Sequence, residues 1–121
     1  MSANTAPRVC HVNDRIVGAV YIGRQMKRRN LLRHPLSNPY LVDLHGRAGA
    51  IALYRMHLAA ILRRGHDEDL NALLVLRSAP AIACWCRRDG EQRTTENECH
   101  GDVIVEFLSN YTDAQLRAMK R

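Results

Sequence analysis

Apolar and polar positions alternate between two periods along the chain, and the switches mark its elements. Ile16 to Ile22 is an unbroken β-branched and apolar run that stops at Gly23, which predicts a buried strand. Arg8 to Val12 is a shorter run, expected to pair with it as an edge strand. From Asp43 the spacing becomes helical: Leu44, Ala48, Ile51, Tyr54, Leu58, Ile61 and Leu62 recur every three or four residues, while Arg47, Arg55, Arg63 and Arg64 mostly fall off that stripe. Gly65 is a fitting C-terminal stop. A second helix is predicted from about Asp67, where Asp67, Glu68 and Asp69 suit the positive end of a helix dipole and Leu70, Leu73 and Leu74 make the apolar face.

Pro80 breaks that helix. Ala81 to Cys86 then reads as a second core strand, with Ile82, Cys84 and Cys86 on one face and Ala81, Ala83 and Trp85 on the other. Arg87 to Glu98 contains no large apolar residue and is read as an exposed loop. Val103, Ile104, Phe107 and Leu108 restore a helical stripe. Thr112-Asp113-Ala114-Gln115 is a capping box that opens a last short helix with Leu116 and Met119 inward. Between the first strand and first helix lies a long loop, in which His34-Pro35-Leu36-Ser37-Asn38-Pro39 excludes regular structure.

The order strand, loop, two helices, strand, loop, two helices predicts a small α/β domain with a mostly parallel sheet of two to four strands flanked by helices. The 121 residues suffice for one core, so residues 8–121 are read as a single domain and 1–7 as a disordered N-terminal tail. In such sheets, strand carboxyl ends and the helix N-termini that follow them form the ligand crevice. Gly23-Arg24, Cys86 and Cys99-His100 are therefore expected near one edge, with the basic loop beside the cysteines.

Charge sharpens this picture. All of the net +6 resides between Arg15 and Val42, where Arg15, Arg24, Lys27, Arg28, Arg29 and Arg33 stand without an acidic residue; elsewhere twelve basic residues balance twelve acidic ones. Such a cluster suits a phosphate-bearing partner, small molecule or nucleic acid, and is equally the pattern of a solvated loop. The chain shows neither a signal-peptide pattern nor eighteen consecutive apolar residues, so no membrane association and a cytoplasmic location are expected. Four cysteines in unequal surroundings do not suggest a secreted disulfide framework. Cys10 is read as an ordinary half-buried thiol.

The other three cysteines concentrate the chemistry, and four readings of them stay open. Cys84, Cys86, Cys99 and His100 are a candidate tetrahedral set for zinc, two thiolates from a strand face and a thiolate plus imidazole from a helix start. Alternatively, Cys99 is a nucleophile activated by the helix N-terminus and His100, with Asp102 orienting the imidazole; these three are the catalytic candidates. In the third reading the cluster is a ligand-binding edge, where backbone amides of His100, Gly101 and Asp102 hold a phosphate and Tyr21 or Trp85 stacks on a base. In the fourth, Cys84 and Cys86 are small core residues, Trp85 is core packing and His100 or Asp102 is a helix cap. His11, His34, His45, His57 and His66 show no ligand spacing and are read as surface or cap residues.

Taken together, Val20-Tyr21-Ile22-Gly23-Arg24, Asn38-Pro39-Tyr40, a helix centred on Tyr54-Arg55, Cys84-Trp85-Cys86 and Cys99-His100-Gly101-Asp102-Val103 resemble, in order and over about Arg8 to Tyr111, the family catalogued as domain of unknown function 4326, found in bacteria and their phages. Ser37 stands where that family usually has glycine, the Arg24–Ser37 loop is longer and more basic, and twelve residues rather than a few separate the two cysteine motifs. Neither change removes a candidate ligand.

Two functional classes follow. In the first, the protein binds, or binds and processes, a nucleotide-derived or other phosphate-bearing ligand at the strand-end crevice, with Tyr21, Gly23, Arg24, Asn38, Trp85, His100, Gly101 and Asp102 lining it. In the second, it is a nucleic-acid- or protein-binding accessory module, phage-borne, with Cys84, Cys86, Cys99 and His100 as a structural zinc site.

Overall fold

The computed structural model describes residues 5–120. Strands β1 (Arg8–His11), β2 (Val20–Tyr21) and β3 (Ala81–Cys84) form one sheet in the order β1-β3-β2, with both pairings parallel. Every residue of β3 is buried, which explains its continuous apolar composition: it is the central strand and is covered on both faces. Helices α1 (Val42–Arg64), α2 (Asp67–Val75), α3 (His100–Asn110) and α4 (Asp113–Arg117) complete a small α/β domain of the expected class.

The core is asymmetric. Val9, Ile22, Ile82 and Cys84 pack with apolar residues from all four helices in one large cluster. On the opposite face Cys10, Ala81 and Ala83 make a thin layer covered by Val12, Ile16 and Ala19. Small side chains on that face let the β1–β2 connection lie close against the sheet.

Several expectations require correction. The strand foreseen from Ile16 to Ile22 is regular only at Val20–Tyr21. A turn closed by the Ala19 N–H on the Ile16 carbonyl at 3.1 Å, with Gly18 at φ +83°, throws Val17 outward to 93% exposure. Apolar composition alone could not register that turn. Nor does β1 pair with β2, because both pair with β3, which enters between them. β3 ends at Cys84, so Trp85 and Cys86 leave the ladder. Cys10 is fully buried rather than half-buried.

Helix α1 begins near its expected start, but Gly46 (φ +69°, ψ 165°) breaks its helical path. The first turn consequently points away from the stripe that follows, and Leu44 and Ala48 are exposed although their spacing placed them inward. From Ile51 onward Tyr54, Leu58, Ile61 and Leu62 face the core as their period requires. The Thr112 capping box forms, with the Gln115 N–H donating to Thr112 Oγ1 and the Thr112 N–H to Gln115 Oε1. Of the seven-residue tail, residues 1–4 lie outside the described residues; Ala6 packs against the core and Pro7 is buried.

The long loop after β3 is irregular yet tethered. Buried Arg87 pairs with Asp102 of α3, Arg93 with Glu98 and Glu106, and Arg88 with Asp14 beyond β1. Among the described residues no helix is long and apolar enough to cross a membrane.

Candidate functional site

A crevice of about 300 Å³ opens at the carboxyl edge of the sheet. The register opposes His11 to Cys84 and Tyr21 to Ala83, so the three strands end together. Tyr21, Gly23 and Arg24 after β2 meet Cys84, Trp85 and Cys86 after β3, while Cys99 and His100 arrive from the start of α3. Asn38 and Tyr40 of the long loop and Asp43, Arg47 and Ile51 of α1 close the remaining side. The edge that the element order singled out thus becomes one cavity with the cysteine cluster in its wall.

Tyr21, Gly23 and Trp85 form one assembly. The Tyr21 hydroxyl donates to the Arg24 carbonyl at 2.6 Å and accepts from Trp85 Nε1 at 3.0 Å. This path folds the phenol ring over Gly23, where a Cβ would lie 2.4 Å from Tyr21 Oη. Glycine at this strand end therefore makes room for the tyrosine ring. Trp85 is 37% exposed, which rules out its reading as core packing; the His11 ring stands edge-on to it at 5.6 Å and the Arg29 guanidinium lies 5.2 Å from its ring centre.

Arg24 and Asn38 are tied to the scaffold more than the sequence suggested. Arg24 donates from Nε to the Asn38 carbonyl at 3.0 Å and from Nη2 to the Tyr40 carbonyl at 3.2 Å. Asn38 Oδ1 accepts from the Tyr40 N–H at 2.8 Å and its amide reaches the Ala50 carbonyl at 3.4 Å, an Asx turn docked on α1. The strand-end arginine and the asparagine-proline loop thus hold one another. Both still line the crevice.

The three sulfurs of Cys84, Cys86 and Cys99 lie within 4.8 Å of one another, with Cys84 and Cys99 Sγ 3.3 Å apart. Cys84 and Cys99 are buried and Cys86 is half-buried toward the crevice. Hydrogen bonds from Cys84 and Cys99, with a further contribution from the Arg47 guanidinium, hold the Cys86 thiol far below its ordinary range. Sharing with Cys86 and burial push Cys84 up to about 11, and sharing with Cys84 and Cys86, together with burial, raises Cys99 further. The three thiols therefore act as one coupled group, in which the neighbouring thiols and then Arg47 favour negative charge at Cys86.

His100 stands apart from this group. Its Nε2 lies 2.8 Å from the Ile22 carbonyl and its ring is edge-on to Tyr54 at 5.1 Å. A carbonyl only accepts, so Nε2 carries the proton. Burial lowers the imidazole pKa, and a neutral ring leaves Nδ1 as its acceptor.

Asp102 is the helix cap that the fourth reading allowed and takes neither the catalytic nor the ligand-binding role. Its carboxylate receives two bonds from Arg87, at 2.8 and 2.6 Å, and the Cys99 N–H at 2.9 Å, closing the first turn of α3. It neither orients His100 nor lines the crevice. Gly101 also lies outside the lining: a Cβ there would come within 3.0 Å of Ile22, 3.2 Å of Cys99 Sγ and 3.3 Å of Ile82, so it serves close packing of α3 on the sheet. Arg47 and Tyr40 are crevice residues that periodicity did not single out, because Arg47 looks like an ordinary off-stripe arginine until Gly46 bends the chain toward the site.

The fold and site define a small parallel α/β domain with an arginine-, aromatic- and thiol-lined crevice at its strand ends. A family model, Domain of unknown function (DUF4326), matches residues 10–110, and the chain belongs to that family. Neither curated proteins nor solved structures yield a match.

Proposed function

We propose that the strand-end crevice binds a small phosphate-bearing ligand of nucleotide type. One observation carries this reading: Arg24 and Arg47 line the same cleft as Tyr21 and Trp85, so cations that suit phosphate stand beside aromatic side chains that suit a base. The volume, at the lower end for ligand sites, favours a mononucleotide or smaller fragment over a dinucleotide. Asp43 on the rim is an acceptor fitted to ribose hydroxyls or base amino groups.

Calorimetric titration with inorganic phosphate and with adenosine and guanosine mono- and diphosphates tests this. One-to-one binding that Arg47→Gln abolishes is the expected result. Absence of binding, or affinity indifferent to that change, overturns the reading.

The accessory-module reading has its own support, since the Lys27 and Arg28 side chains are exposed and, among the described residues, make no hydrogen bond or ion pair. Duplex contacts through them predict affinity that falls steeply with salt, whereas the crevice predicts a shallow dependence. In this reading the cysteines are structural zinc ligands.

A further inference from the structure

We propose that Cys84, Cys86 and Cys99 hold one zinc-like divalent ion whose fourth coordination position is open to the crevice. This rests on the crevice being a ligand site but concerns a different set of atoms. Three sulfurs from two separate elements, a strand end and a helix start, converge within 4.8 Å. Tetrahedral thiolate coordination at a metal–sulfur distance of about 2.3 Å spaces sulfurs about 3.8 Å apart, so the cluster needs adjustments of an ångström or less. No thiol of the chain is in a disulfide: all four cysteines are free.

Protein donors to close the shell are lacking among the described residues. His100 is anchored through Nε2 to the Ile22 carbonyl, and neither of its nitrogens joins the sulfur group. Cys10 packs in the layer on the other face of the sheet. Three protein ligands and one exchangeable position is the arrangement of sites that act on a bound molecule, whereas structural zinc sites use four. Because all three cysteines line the crevice, the exchangeable position belongs to it.

The charges balance. Each sulfur enters as thiolate, so binding releases to solvent whatever thiol protons remain, and three thiolates with a divalent ion leave a net charge of −1 beside the Arg47 guanidinium. Water occupies the fourth position until a ligand donor atom displaces it.

Cobalt(II) added anaerobically to the reduced, metal-free full chain is the test. The expected result is one cobalt per chain, with sulfur-to-cobalt charge-transfer absorption and tetrahedral d–d bands that zinc erases. Cys86→Ser, folded by circular dichroism, should lose these bands, and Cys10→Ala should keep them. Imidazole added to the cobalt form should shift the d–d bands by occupying the open position. Saturating cobalt without charge-transfer bands, or bands that survive Cys86→Ser, overturns the thiolate site. Bands that imidazole leaves unmoved overturn the open position. Calorimetry with phosphate and nucleotides on the metal-free protein is a separate readout, so the crevice reading can fail while the cobalt spectrum stands.

Discussion

Arg87 grips Asp102 through two hydrogen bonds, 2.8 and 2.6 Å long, with both side chains buried. The pair joins the loop after β3 to the first turn of α3, and thereby fixes Cys99, the residue that opens the helix, against Cys84. Burial alone would raise the Asp102 carboxyl, but Arg87 and the Cys99 N–H outweigh it and hold it below the ordinary carboxylate range.

Breaking this pair strands a buried charge. Arg87→Ala is expected to lower stability by about 3 kcal/mol, while Arg87→Met with Asp102→Asn, which removes the stranded charge and keeps an acceptor for the Cys99 N–H, should recover part of the loss. Urea unfolding of the single and double variants measures both.

Acid should destabilise the protein before its carboxylates titrate. Burial lowers the pKa of His34, His57 and His100 below 6.5, so on unfolding these groups take up protons that the native state does not hold. The stability they contribute is complete above pH 6.5 and is lost as the pH falls through their native values. Asp102 adds a second loss at lower pH, as its depressed carboxyl is protonated. Melting temperature should decline from pH 7.5 to 5.5, and His100→Gln should flatten part of that decline. A curve unchanged over this range would contradict the lowered pKa values of these rings.

Alkylation should single out Cys86. Hydrogen bonds from the neighbouring thiols and the charge of Arg47 lower its pKa, whereas the pKa values of Cys84, Cys99 and Cys10 are raised and their side chains are buried. Peptide mass spectrometry after brief iodoacetamide treatment of the reduced, metal-free protein should find label at Cys86 first. Arg47→Gln should slow that labelling.

Gly23→Ala tests the aromatic wall. The new methyl group would displace the Tyr21 ring and break its bonds to Trp85 and to the Arg24 carbonyl. A stability cost of about 1–3 kcal/mol is expected for such overpacking. Trp85 is the one tryptophan, so its emission should change with the displacement.

Tyr54→Phe should cost about 1–2 kcal/mol by leaving the buried Leu36 carbonyl without the hydroxyl that now donates to it at 2.7 Å. Thermal melting measures this. The larger consequence is a looser Leu36–Asn38 turn, visible as faster amide exchange at Tyr40.

Element types, the stop at Gly65, the Thr112 cap and the gathering of strand ends and the α3 start at one edge were legible in the sequence. They depend on local periods, capping chemistry and a connectivity rule, all of which act over a few residues or follow from element order. The turn at Val17–Gly18 was not legible, because an apolar run does not reveal which of its residues leaves the ladder. Nor was the bend at Gly46, which turned Leu44 outward and Arg47 toward the thiols.

The sequence by itself determined that Cys84, Cys86, Cys99 and His100 would lie near each other. Only the tertiary structure decided how they divide. Three sulfurs converge, His100 is drawn off by the Ile22 carbonyl, and Asp102 is consumed by Arg87. Those partners lie 78 and 15 residues away in sequence. Which buried donor meets which acceptor over such spans is settled by packing, where a charge or lone pair left unpaired costs more than a change of rotamer.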